Sequence, residues 1–140
     1  MDFSTTVDIA APPGAVWTVM ADIERWHEWT ASIKGIRQLT KGPLAVGSRA
    51  LVRQPRFPPA VWTVTAFEPG RSFVWVTGSP LIRAYGQHSV TPIAGGSRVT
   101  LALHYEGWAG PAFARWTTKI TERYLGLEAA GLKKRSETGA

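Results

Sequence analysis

One stretch limits the fold of this chain more than any other. From Gly110 to about Ser136, Phe113, Trp116, Thr117, Ile120, Tyr124, Leu127 and Gly131 recur three or four residues apart. That spacing predicts one long amphipathic helix with a wide aromatic stripe. Arg115, Lys119, Glu122, Arg123, Lys133 and Lys134 fall on its other faces. Pro111 suits the first turn, where an N–H would have no partner anyway. No second long helix is predicted that could receive the stripe. The chain before it alternates like strands, so a sheet must cover this face. A sheet curved around a helix can leave a cavity between the two, and that cavity is where function is expected.

The strands follow from period-two alternation and from where turns interrupt it. Phe3, Thr5, Val7 and Ile9 alternate with polar residues over roughly residues 2–10. Pro12 and Pro13 stop this strand and open a short helix over 15–20. Asp22 is a suitable cap for a second short helix ending near His27. Strands are then predicted over 33–39, 49–54, 60–67, 72–77, 81–91 and 98–106. The breaks between them carry Pro or Gly, as in Pro55-Arg56-Phe57-Pro58-Pro59, Glu68-Pro69-Gly70 and Ala94-Gly95-Gly96. Consecutive strands with short connections favour an antiparallel meander. No repeat, low-complexity tract or linker divides the chain, so one domain over residues 1–140 is expected.

Composition narrows the function classes. The chain is 44% hydrophobic and 19% charged, in the ordinary globular range, and holds seven Trp. No apolar run approaches the ~20 residues of a membrane span. The start of the chain lacks the basic and apolar pattern of a signal peptide, so the cytoplasm is the expected location. There is no cysteine, which removes disulfides, thiolate nucleophiles and Cys-ligated zinc. The formal net charge is +6. Apart from Lys133-Lys134-Arg135 the cations are scattered, so they read as solvated surface rather than a nucleic-acid site or a membrane face.

The order of elements, with particular words at particular places, resembles the START-like (SRPBCC) superfamily, in its polyketide cyclase/dehydrase and lipid-transport branch. The words are Pro12-Pro13-Gly14-Ala15-Val16-Trp17, Asp22-Ile23-Glu24-Arg25-Trp26-His27-Glu28-Trp29, and Trp62-Thr63-Val64 with Phe67-Glu68-Pro69. Phe73-Val74-Trp75, His88 with Pro92, Gly95-Gly96-Ser97-Arg98-Val99-Thr100 and Tyr124-Leu125-Gly126-Leu127-Glu128 follow. The resemblance covers nearly the whole chain. It implies an α+β helix-grip fold: a curved antiparallel sheet of six or seven strands wraps a long C-terminal helix, with two short helices after strand one. It implies an apolar cavity as well. The superfamily shares no catalytic residue set, so none is carried over, and fold alone does not give function.

Candidate residues therefore come from the chain itself. His88 shares a strand face with Val90 and is expected to point inward. An imidazole there would be neutral, able to act as a base or a ligand partner, or as a structural group bonded to a carbonyl. His104 is expected on the opposite face and His27 at a helix end. These three histidines form no metal site, and no HExxH spacing occurs. Glu128 borders the helical stripe and could face the cavity or pair with His88. Trp26, Trp29, Trp62, Phe73, Trp75, Tyr85, Tyr105, Phe113, Trp116 and Tyr124 complete the candidate ligand-binding set, since large rings line pockets well. Which face of strands three to five they present is open, because Val74 and Val76 compete with Phe73 and Trp75.

The expectation is a small hydrophobic or aromatic ligand bound between sheet and helix, with no cofactor and no nucleic acid. A homodimer is left open. The alternative is a cyclase or dehydratase acting on a poly-ketone, with His88 as base and a Tyr hydroxyl or Trp N–H as donor.

Overall fold

Alternation along the predicted strands builds one curved sheet. The computed structural model describes residues 2–138. In chain order the elements are β1 (Asp2–Ile9), α1 (Pro13–Ala21), a 3-10 helix (Ile23–Glu28), β2 (Gly35–Gln38), β3 (Arg49–Arg53) and β4 (Ala60–Glu68). Then come β5 (Ser72–Gly78), β6 (Arg83–Ile93), β7 (Gly96–Glu106), α2 (Gly110–Trp116) and α3 (Thr118–Thr138). The seven strands lie in the order β1-β7-β6-β5-β4-β3-β2, and every neighbouring pair is antiparallel. This is the expected helix-grip architecture, with the first strand lying beside the last.

Parity then decides what faces inward. On β6, Ala84, Gly86, His88 and Val90 are buried, and on β7, Ser97, Val99, Leu101 and Tyr105 are buried. On β5 the contest resolves in favour of Phe73 and Trp75, while Val74 and Val76 lie half-buried on the outer side. On β4, Trp62 and Val64 face inward, and the register shifts between Val64 and Ala66. The extra residue of that bulge turns Ala66 out, so the expected Trp62-Val64-Ala66 face breaks there. Phe67 instead returns to the inside, where its ring meets Trp17 edge-on with centroids 5.6 Å apart.

The core lies at one end of the curved sheet. Val16 and Met20 of α1, Ile23 and Trp26 of the 3-10 helix, and Ala129 and Leu132 of α3 meet Ile9, Val90 and Val99 there. Trp26 Nε1 donates to the Met20 carbonyl at 3.0 Å, which satisfies the indole inside this core.

The C-terminal stretch differs from expectation in two ways. It is interrupted at Thr117, whose φ of −102° and ψ of 9° leave the helical range. Thr117 Oγ1 donates to the Phe113 carbonyl at 2.7 Å and Thr118 Oγ1 to the Ala114 carbonyl at 2.8 Å. Adjacent β-branched hydroxyl residues bonding back four positions loosen a helix at that point. The buried stripe is also rotated by one residue. Ala114, Thr117, Thr121, Leu125, Ala129 and Leu132 are buried, whereas Phe113, Ile120, Tyr124 and Leu127 are half-buried and Trp116 is 84% exposed. Small residues let α3 approach β1, with α1 alongside. A Cβ on Gly131 would collide with the Trp29 backbone, so this approach needs glycine. The larger side chains stand beside the contact, where sheet and helix diverge.

Candidate functional site

The divergence encloses a cavity of about 1100 Å³ that opens to solvent. Val52, Trp62, Trp75, Ala84, Leu101, Leu103 and Tyr105 form its sheet wall. Phe113, Ile120, Tyr124, Leu127 and Glu128 form its helix wall. Trp62 and Trp75 pack with centroids 5.5 Å apart. Opposite Trp75 across the strand pair stands Gly86. A Cβ there would lie 2.8 Å from the Trp75 indole nitrogen, so the glycine leaves the ring its place. The segment between β3 and β4 covers part of the cavity. Its Phe57 ring sits 6.4 Å from Phe113 and 5.9 Å from Tyr124, and the Tyr124 hydroxyl donates to the Pro55 carbonyl.

The inner end is polar at two points. His88 is only 6% exposed. Its ring stacks on Phe73 at 4.3 Å with a 10° interplanar angle, meets Trp75 edge-on at 5.6 Å, and lies 5.3 Å from Trp26. Nδ1 is buried and makes no hydrogen bond among the described residues. Burial pushes the imidazole down to about 4, opposed weakly by the backbone of Phe73 across the strand pair. His88 is therefore neutral near pH 7.

Glu128 shares a small void of about 10 Å³ with His88, walled by Met20, Trp26, Trp29, Leu101 and Leu132. That is close to the room one water requires. Desolvation pushes the Glu128 carboxyl up to about 7, and the Ser32 hydroxyl, donating to Oε1 at 3.4 Å, counteracts part of it. Ser32 Oγ is itself 2.8 Å from Thr30 Oγ1. Near neutrality this pair offers a neutral imidazole and a carboxyl that both gives and takes a proton. Among the described residues no group of His, Asp or Glu side chains converges into a metal site.

The candidate set divides plainly. Trp26, Trp62, Trp75, His88, Tyr105, Phe113, Trp116, Tyr124 and Glu128 border the large cavity, Trp116 at its mouth. Trp29 borders only the small void. Phe73 is fully buried beneath the His88 ring and lines neither space. Tyr85 is misplaced in the set: the two-residue period that brings His88 inward turns Tyr85 outward. There its ring lies 5.9 Å from that of His104, which bonds Asp2 and Glu106 on the outer face. Sequence reasoning missed Phe57 and Pro55, read only as a strand break, and Gly86, whose contribution is empty space. An aromatic residue set among prolines was the signal available for Phe57. At the mouth, Arg56, Lys119 and Arg123 supply positive charge.

Solved structures share this architecture. TTHA0849 from Thermus thermophilus superposes with a TM-score of 0.79 at 16% identity, over 100% of this chain and 99% of that one. The hypothetical protein jhp0584 from Helicobacter pylori gives 0.79 at 15%, over 96% and 86%. The di-domain ARO/CYC StfQ of the steffimycin biosynthetic pathway gives 0.75 at 12%, over 99% of this chain and 51% of that one. At these identities the likeness is one of fold. No match to a curated protein is found. Over residues 1–137 the sequence matches the model of one family, and the chain belongs to it: polyketide cyclase/dehydrase and lipid transport.

Proposed function

We propose that the cavity binds a small hydrophobic or aromatic molecule, held by apolar contact along its length and oriented at the inner end by His88 and Glu128. The observation that carries this is the space of about 1100 Å³ between sheet and helix, walled largely by aromatic and aliphatic side chains. Each 100 Å² of apolar surface removed from water is worth roughly 2.5 kcal/mol before the costs of association. The two inner polar groups favour a ligand that ends in a hydroxyl or carbonyl. The test is a fluorescence titration with the uncharged probe N-phenyl-1-naphthylamine. Saturable binding is expected, with loss in Ala84→Phe, which places a ring inside the wall. Binding that is absent, or unchanged in that variant, overturns the reading.

A second reading is favoured by the free Nδ1 of His88 beside a carboxyl that titrates near neutrality. In a cyclase or dehydratase the imidazole takes the proton from carbon next to a carbonyl. The enolate carbon then bonds to a second carbonyl carbon, whose oxygen takes the proton back from the imidazolium and becomes a hydroxyl. The imidazole next removes the remaining α-proton while protonated Glu128 gives its proton to the departing hydroxyl, which leaves as water as the C=C bond forms. Proton return from imidazolium to carboxylate resets the pair. Exchange of the α-hydrogens of 2-tetralone for deuterium, followed by NMR, measures the first step. The catalytic reading expects acceleration that falls by ~10²–10⁴ in His88→Gln with probe binding retained. Exchange at the buffer rate leaves binding alone.

A further inference from the structure

Two indoles lie almost bare beside the cavity mouth. Trp108 is 92% exposed and Trp116 84%, with Leu81 nearby at 51%. The Ala109 amide donates to the Leu81 carbonyl at 2.9 Å, which ties the loop before α2 to the loop between β5 and β6. In α2 the buried side is Gly110 and Ala114, while Pro111, Ala112, Arg115 and Trp116 are exposed. Spaced one, four and five apart, these share the outer face, and Trp108 stands just before its start. The face adjoins the opening, because Trp116, Lys119 and Arg123 line the mouth.

Charge follows the same pattern. Arg115, Lys119 and Arg123 make no ion pair among the described residues. Most of the acids are engaged elsewhere: Asp2 and Glu106 with His104, Asp8 with Arg98, Asp22 with Arg25, Glu28 with Arg135, and Glu137 with Lys133. Only Glu122 lies among these three cations in sequence. Spaced four residues apart, they lie together because α2 and the first turns of α3 run along one edge of the mouth.

We propose that this face docks on an anionic lipid bilayer, with Trp108, Trp116 and Leu81 at the headgroup level and Arg115, Lys119 and Arg123 against lipid phosphates. The cavity then opens onto the membrane, and an apolar ligand passes between bilayer and protein without crossing water. Indole rings prefer the interfacial layer, where an apolar body and a polar N–H are both satisfied. An exposed apolar face rimmed by Lys and Arg is the pattern of interfacial binding. A second copy is a poorer occupant, since it would bring two sets of unpaired cations together. An acidic protein would pair with the cations but does not call for two bare indoles.

The test uses the full chain without ligand, so that its failure and that of the cavity reading are separate. Co-sedimentation is measured with vesicles of phosphatidylcholine alone and of phosphatidylcholine mixed with phosphatidylglycerol. Binding is expected only to the second, weakening as salt rises. Trp108→Ser is expected to lower the partition coefficient about tenfold, and Arg115→Gln about fivefold, the weight of one cation at an anionic surface. Neither residue lines the cavity, so both variants should keep the melting temperature and the probe affinity. No binding to the anionic vesicles overturns the proposal. So does binding that Trp108→Ser leaves unchanged, or equal retention on immobilised polyglutamate that ignores Trp108, which would mark an acidic protein as the occupant.

Discussion

His88 and Glu128 pull stability in opposite directions with pH. His88 titrates at about 4 in the fold against an ordinary 6.5, so its contribution is intact above pH 6.5. As pH falls below that, the unfolded chain binds a proton the folded one refuses, and about 3 kcal/mol is lost by pH 4. Glu128 does the reverse. Its value of about 7 lies above the ordinary 4.5, so its contribution is intact below pH 4.5 and is lost as pH rises through 7. Between pH 4.5 and 6.5 the two slopes oppose each other. Denaturant melts of Glu128→Gln should therefore lose stability on acidification below 6.5, and those of His88→Gln on alkalinisation above 4.5. Parallel pH profiles for the two variants would show that one group does not titrate as its surroundings dictate. The inward placement of His88 was legible from Val90 two positions on. The same parity excluded Tyr85, which aromatic character alone had admitted to the set. What parity could not show is the stack on Phe73, because that depends on strand register across β5 and β6.

In the C-terminal helices the sequence shows the period but not its phase. An aromatic stripe at helical spacing marks an amphipathic element correctly. The contact face, however, is set by small residues, and Ala114, Thr121 and Ala129 carry little hydrophobic weight in a pattern. Large residues next to a small-residue contact are held away from the sheet, and here that offset is what opens the cavity. Truncations should follow the observed phase. Leu132→Ala removes a fully buried side chain and should cost ~2–5 kcal/mol, whereas Trp116→Ala should stay within ~0.5 kcal/mol. Ile120→Ala and Leu127→Ala, at the cavity wall, should fall between. Gly131→Ala should destabilise despite the better helix propensity of alanine, since its Cβ meets the Trp29 backbone, which cannot yield as a side chain would. Urea midpoints across this series check the phase; equal losses at Trp116 and Leu132 would return it to the aromatic stripe.

Across the whole molecule the sequence revealed the walls of the cavity but not its size, because size depends on where side chains are withheld. Ala84 and Gly86 on β6 leave the middle of the sheet thin, and the Phe57 segment roofs the space instead of filling it. A chain built this way gives up apolar burial that a packed interior would supply. Filling the space should return some of it. Ala84 is buried, faces the cavity and pairs across strands with Thr77 and Tyr105, so a phenyl ring placed there extends into open volume. Ala84→Phe should gain ~1 kcal/mol from the area it covers, or about 3 °C in melting temperature for a chain of this length. In the parent protein a ligand should do the same reversibly, raising the melting temperature by mass action as its concentration passes its Kd, to ~2.7 kcal/mol at a hundredfold excess. The two effects should exclude each other: the variant starts higher and no longer responds to N-phenyl-1-naphthylamine. Thermal melts with and without probe decide it. A variant that is less stable than the parent would mean the space is already closed by its own side chains, and one that is more stable yet still shifted by the probe would put the ligand outside this cavity.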